Sequence, residues 1–151
     1  MHDALTGALS LPAFNEAVAR EIARAGRDSM ELHLLLLNLQ SITKSDFNDF
    51  EDNNPRQKSI EQEQLLIQLV EMVHELRISL RDNDLISRTG FSEISIVFSG
   101  NPDYLKKRIL KIVKNFSGTV AMVKYQEDWE LAQFLTAGDL AIAKAAFTKT
   151  L

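Results

Sequence analysis

Arg81 and Asp84 stand three residues apart in the polar turn Arg81-Asp82-Asn83-Asp84, and this is the pairing in the chain with the most legible binding chemistry. A guanidinium fork can hold a phosphate or another acceptor edge, while a carboxylate accepts from N–H donors. The same two residues also have a purely local use. An arginine at the end of a helix complements the helix dipole, and an aspartate in a turn can bond its own backbone. A second group of cations, Lys106, Lys107, Arg108, Lys111 and Lys114, lies between Tyr104 and Phe116, where the simplest reading is a solvated helix face. Metal chemistry finds no comparable support. His2, His33 and His74 are scattered with no partner at ligand spacing, which predicts solvated or locally satisfied imidazoles. The chain has no cysteine, so thiolate metal sites, disulfides and a cysteine nucleophile are excluded. Neither a Gly-x-x-x-x-Gly-Lys loop nor a Gly-x-Ser-x-Gly elbow occurs.

Length and composition describe one ordinary domain. The 151 residues are 45% hydrophobic and 25% charged, enough for a single core, and nothing approaches the ~18 consecutive apolar residues of a membrane span. A net charge of −4 argues against broad nucleic-acid binding. The N-terminus lacks the basic and apolar regions of a signal peptide, so a cytoplasmic protein with no membrane contact is expected.

Hydrophobic spacing supplies the elements that must carry these side chains. Phe14, Val18 and Ile22 recur every four residues and predict a helix over Pro12–Ala25, with Ser10 as its cap. The continuous run Leu34-Leu35-Leu36-Leu37 within Glu31–Leu39 predicts a central strand buried on both faces. Residues 43–62 are polar, contain Asn-Asn-Pro and read as a loop. Leu65 to Leu80 predicts a long amphipathic helix ending at the Arg81–Asp84 turn. Leu85–Arg88 and Glu93–Ser99 flank Thr89-Gly90-Phe91-Ser92 as a β-hairpin. A helix over Tyr104–Phe116, a strand over Thr119–Tyr125 and an alanine-rich helix over Leu135–Phe147 complete the order αβαββαβα. Trp129 reads as a packing residue. This order predicts a ferredoxin-like α+β sandwich: a mixed, mainly antiparallel sheet covered by helices.

Four segments, in this order, resemble the GGDEF domain of diguanylate cyclases, which make cyclic di-GMP from two GTP. Asp3-Ala4-Leu5-Thr6-Gly7 is similar to the family's opening Asp-x-Leu-Thr-Gly, and Phe14 falls at its first-helix Phe. Leu36-Leu37-Asn38-Leu39-Gln40-Ser41-Ile42 resembles Asp-x-Asp-x-Phe. Arg88-Thr89-Gly90-Phe91-Ser92-Glu93-Ile94 resembles Arg-x-Gly-Gly-Asp-Glu-Phe, and Gly138-Asp139-Leu140-Ala141-Ile142-Ala143 resembles Ala-Asp-x-Ala-Leu-Tyr. The resemblance implies the nucleotidyl-cyclase-like fold over residues 1–151 as a single domain, taken from a larger signalling protein.

It also implies a degenerate catalytic centre. The family's reaction needs Mg²⁺ held by carboxylates beside the GTP phosphates. Asn38 stands at a metal-binding aspartate, Ser92 at the signature acid and Phe91 at the second signature glycine, where glycine permits positive φ and close substrate approach. Only Glu93 survives, and alone it reads as a solvent-facing hairpin residue. Phe91 itself reads as an exposed turn aromatic or a partner contact. Counting along the motifs places Leu66 at an acidic guanine contact and Ala146 at a phosphate-binding lysine. The expectation is a non-enzyme with no cofactor and no productive Mg²⁺ binding.

What the resemblance leaves intact is the product-binding pattern Arg-x-x-Asp. Asp84 precedes Gly90 by six residues, the family spacing, so Arg81 and Asp84 stand in that register. Further cations for such a site would come from Arg88, Arg108 or Lys111. The first expectation is therefore a cyclic di-GMP receptor that signals to a neighbouring domain or protein. The alternatives are an interaction module that binds no nucleotide, with room for a homodimer, and a domain that binds GTP as an allosteric signal.

Overall fold

The computed structural model describes the backbone of residues 1–39 and 55–150, and the side chains of 55–58, 104 and 146–150 lie outside that description. Eight elements follow in the order α1 Leu11–Asp28, β1 Leu32–Leu39, α2 Pro55–Ser79, β2 Leu85–Arg88, β3 Glu93–Ser99, α3 Pro102–Val113, β4 Gly118–Lys124 and α4 Leu131–Thr150. The strands form one sheet in the order β2-β3-β1-β4. Every pairing between these strands is antiparallel. The parallel element expected of a mixed sheet is confined to an isolated bridge, Leu9 to Ser87. This is the α+β architecture of a ferredoxin-like sandwich.

The leucine run becomes intelligible from the register. Side chains alternate across a strand, so Leu34 and Leu36 pack with Phe14, Val18 and Phe134 of α1 and α4. Leu35, Leu37 and Leu39 pack with Leu69, Met72, Val73 and Ile109 of α2 and α3. A strand clothed on both faces needs apolar residues at every position, and each of these leucines is at most 4% exposed. Complete burial of such a side chain contributes about 1.5–3 kcal/mol, which makes β1 the main anchor of both layers. Trp129 packs beside Tyr125 and Phe134 in the α1/α4 layer, as expected of a packing residue.

Local chemistry sets the ends of the helices. Ser10 caps α1 by accepting from the Ala13 amide, and Asn101 caps α3 by accepting from Asp103 with Pro102 in the first turn. The structure corrects the expected loop over 43–62: residues 55–62 are the first turns of α2, and 43–54 lie outside the described residues. Pro55 opens the helix, where proline's missing N–H costs nothing, rather than marking a turn. Among the described residues no helix is long and apolar enough to cross a membrane.

His33 departs from the expectation of a solvated or locally satisfied imidazole. It is 3% exposed on β1, stacked on Phe98 at 5.3 Å, and its Nε2 lies 3.4 Å from a Glu31 carboxylate oxygen without a hydrogen bond at either ring nitrogen. Burial pushes its pKa below the ordinary value, with Glu31 opposing.

Candidate functional site

The β2–β3 hairpin is closed by the Thr89 amide donating to the Glu93 carbonyl. Neither Gly90 nor Phe91 has positive φ, so this turn does not require glycine at position 91 and tolerates the bulky side chain. Phe91 is 53% exposed, as expected of a turn aromatic. Its carbonyl accepts two bonds from Arg88, whose guanidinium also lies 5.5 Å from the Phe91 ring centre and 3.7 Å from Asp3.

Behind the tip, Ser92 Oγ donates to Asn38 Oδ1 at 2.9 Å, and the Leu39 amide donates to the Ser92 carbonyl. The neutral amide and hydroxyl are thus bonded to each other. Glu93 is half-buried rather than solvent-facing, because Thr89 Oγ1 donates to its Oε1 at 2.8 Å and also contacts Ser95. Leu66 is half-buried against the α2/α3 core, where an apolar side chain belongs. The side chain of Ala146 and the stretch Gln40-Ser41-Ile42 fall outside the described residues. Among the described residues no group of three or more His, Cys, Asp or Glu is placed to hold a metal ion.

The second centre lies at the opposite end of β2. The Asp84 carboxylate accepts from the Arg81 amide at 2.9 Å, and the Asp84 amide donates back to the Arg81 carbonyl. This reciprocal turn holds the two side chains together where α2 meets β2. Burial pushes the Asp84 carboxyl above its ordinary range, and the Arg81 amide and guanidinium pull it back only in part.

Arg81, Asp84 and Arg108 line one cavity of about 450 Å³, together with Ser79, Ser99 and Asn101. Arg108 arrives there because Leu105 and Ile109 bury the other face of α3. Of the cations weighed on sequence, Arg88 is committed to the hairpin tip and Lys111 is exposed on α3. Neither is among the residues lining this cavity. On the other side of the same turn lies a second cavity, of about 350 Å³, bounded by His2 and Gly7 of the N-terminal turn, by Arg77 and Arg81, and by Asp82 and Asp84. Sequence reasoning passed over Arg77 and read His2 only as a scattered histidine with no partner at ligand spacing. Arg77 lies in the last turn of α2, and Arg81 follows in the turn just past the end of that helix.

With helices on both sides of a β2-β3-β1-β4 antiparallel sheet, the fold is that of GGDEF domains, and comparison with solved structures agrees. A sensory box/GGDEF family protein from Caulobacter crescentus superposes with a TM-score of 0.75 at 18% identity, covering 97% of this chain and 98% of its own. A microbial GGDEF domain solved in an interaction with cyclic di-GMP gives 0.78 at 17% identity, covering 97% and 93%. The GGDEF domain of DgcB from Caulobacter crescentus, in complex with cyclic di-GMP, gives 0.75 at 14% identity, covering 97% and 90%. No family model and no curated protein matches the sequence.

Proposed function

We propose that this domain is a catalytically inactive GGDEF-like signalling module that binds cyclic di-GMP through Arg81, Asp84 and Arg108. The observation that carries the reading is the convergence of these three residues on one cavity of about 450 Å³, a volume within the ordinary range for small-ligand sites. The chemistry suits a purine dinucleotide. Guanidinium forks bind phosphate or the guanine acceptor edge, and a carboxylate accepts from guanine N–H groups. That two of the similar structures contain cyclic di-GMP supports the choice of ligand.

Inactivity follows from the charge at the other centre. Two metals beside GTP need anionic oxygen ligands, and a neutral Asn38 bonded to a neutral Ser92 supplies none. Glu93 is a single carboxylate already engaged by Thr89. Mg²⁺ is therefore not a cofactor of this domain.

Calorimetric titration of cyclic di-GMP into the wild-type and Arg81→Ala proteins tests the reading, with GTP plus Mg²⁺ in parallel. Micromolar binding that the substitution abolishes, with no turnover of GTP, is the expected result. Absence of binding in the wild type overturns it. The exposed Phe91 at the hairpin tip favours one alternative, a module that docks a protein partner and binds no nucleotide, since an aromatic held outward by Arg88 suits a protein contact.

A further inference from the structure

The N-terminal turn is tied to the domain from several directions. Leu9 bridges to Ser87 in parallel, its amide donating to the Ile86 carbonyl and its carbonyl accepting from Ser87 Oγ at 2.8 Å. Asp3 accepts from both the amide and the hydroxyl of Thr6 and lies 3.7 Å from Arg88. Between these ties, Gly7 adopts φ +74°, and the guanidinium of Arg77 lies against its α-carbon: a Cβ there would stand 2.8 Å from Arg77 Nη1. The bare glycine leaves Arg77 room to lie along the wall of the 350 Å³ cavity that it shares with Arg81.

We infer that this cavity is a phosphate-binding subsite in which Arg77 and Arg81 grip the anion and the N-terminal turn forms the opposite wall. The Arg77 side chain has no hydrogen-bond or ion-pair partner among the described residues. Arg81 contributes its backbone, not its guanidinium, to the bonds that hold the Asp84 turn. Arg77 in the last turn of α2 and Arg81 just past the end of that helix line the same cavity, so two guanidinium forks can share one phosphate there.

The carboxylates at the rim limit the charge the site can take. Asp82 and Asp84 balance the two arginines. A phosphodiester, or a small phosphate anion one or two phosphates long, suits this balance better than a long polyanionic chain does. The subsite adjoins the cavity of Arg108, with Arg81 and Asp84 common to both. Only the identity of its natural ligand rests on the cyclic di-GMP reading; phosphate recognition does not.

NMR of the side-chain Nε–Hε group of Arg77 and the backbone amide of Gly7 reads this site directly. The protein is titrated at about 0.15 M salt, where loose surface condensation is screened, with inorganic pyrophosphate in one series and cyclic di-GMP in the other. Saturable shifts of both groups are expected in the wild type, and in Arg77→Gln the affinity read at the Gly7 amide should weaken about tenfold, since one charge-assisted contact is lost. A response to pyrophosphate alone supports the subsite and counts against cyclic di-GMP as its ligand. A response to cyclic di-GMP alone supports it and names the nucleotide. If cyclic di-GMP shifts the groups around Arg108 while Arg77 and Gly7 stay silent to both probes, the subsite is wrong and the receptor reading stands. Silence everywhere overturns both.

Discussion

Asn38 and Ser92, on neighbouring strands of the sheet, are joined by a hydrogen bond from the Ser92 hydroxyl to the Asn38 amide oxygen at 2.9 Å. Asn38 pairs with Glu93 in the β1–β3 register, so the bonded Asn38–Ser92 pair and the Glu93 carboxylate stand side by side. The bond gives the two neutral side chains a mutual partner where two carboxylates would repel each other unless a cation lay between them. Ser92→Ala removes the donor from a half-buried acceptor. A loss of about 1 kcal/mol in unfolding free energy is expected, measured by urea titration. The variant Asn38→Asp/Ser92→Asp should lose stability in chelator and recover part of it with Mg²⁺. It should still not turn over GTP, because Phe91 remains at the tip.

Asp84 separates binding from stability. Burial raises its pKa, so the folded domain holds that proton more tightly than the unfolded chain does. The ionised carboxylate therefore subtracts stability as pH rises past the ordinary carboxylate range, and the cost is complete once pH exceeds the raised folded value. Asp84→Asn keeps an oxygen that can accept from the Arg81 amide and removes the charge. Its urea midpoint should match or exceed that of the wild type, while its affinity for cyclic di-GMP falls about tenfold or more. A matched loss of both would mean that Asp84 serves only to hold the turn.

His33 predicts the acid limb of the stability curve. Its folded pKa is depressed below the ordinary 6.5 by burial, so the unfolded chain binds the proton first. Stability from this group is complete above about pH 7 and is lost as pH falls through the unfolded value toward the lower folded one. Melting temperature should decline between pH 7 and 5, and His33→Phe, which keeps a ring against Phe98, should flatten that decline. An unchanged slope in the variant would assign the acid sensitivity to the carboxylates.

The sequence discloses the elements wherever one physical signal dominates. The hairpin strands begin and end where alternation and turn residues put them, at Leu85–Arg88 and Glu93–Ser99. The start of α2 was hidden because residues 55–64 are mostly polar, and Pro55 reads equally as a turn or as a first helical residue. For the site, the spacing of Arg81 and Asp84 was legible in the chain, as was the helical face carrying Arg108. What was not legible was that Arg88 bonds the Phe91 carbonyl, since which way a guanidinium turns depends on the fold around it. Arg77 escaped for a related reason: its wall is Gly7, seventy residues away in the chain.

Gly138 shows where a departure from the family pattern is dictated by packing. The resemblance places alanine at this position, yet here a Cβ would lie 2.6 Å from Leu34 Cδ2 and 2.7 Å from Leu36 Cδ1. Both leucines are nearly sealed in the core, at 1% and 2% exposure, so their methyl groups have little room to retreat. Alanine would gain up to about 1 kcal/mol of helix propensity in α4 and lose about 1–3 kcal/mol to overpacking. Gly138→Ala should therefore lower the urea midpoint. Combined with Leu36→Val, it should cost less than the sum of the two single changes, because the shorter side chain vacates the space the new methyl needs. Strict additivity would show that α4 shifts as a body instead, and the close approach of Gly138 to β1 would then not explain the glycine.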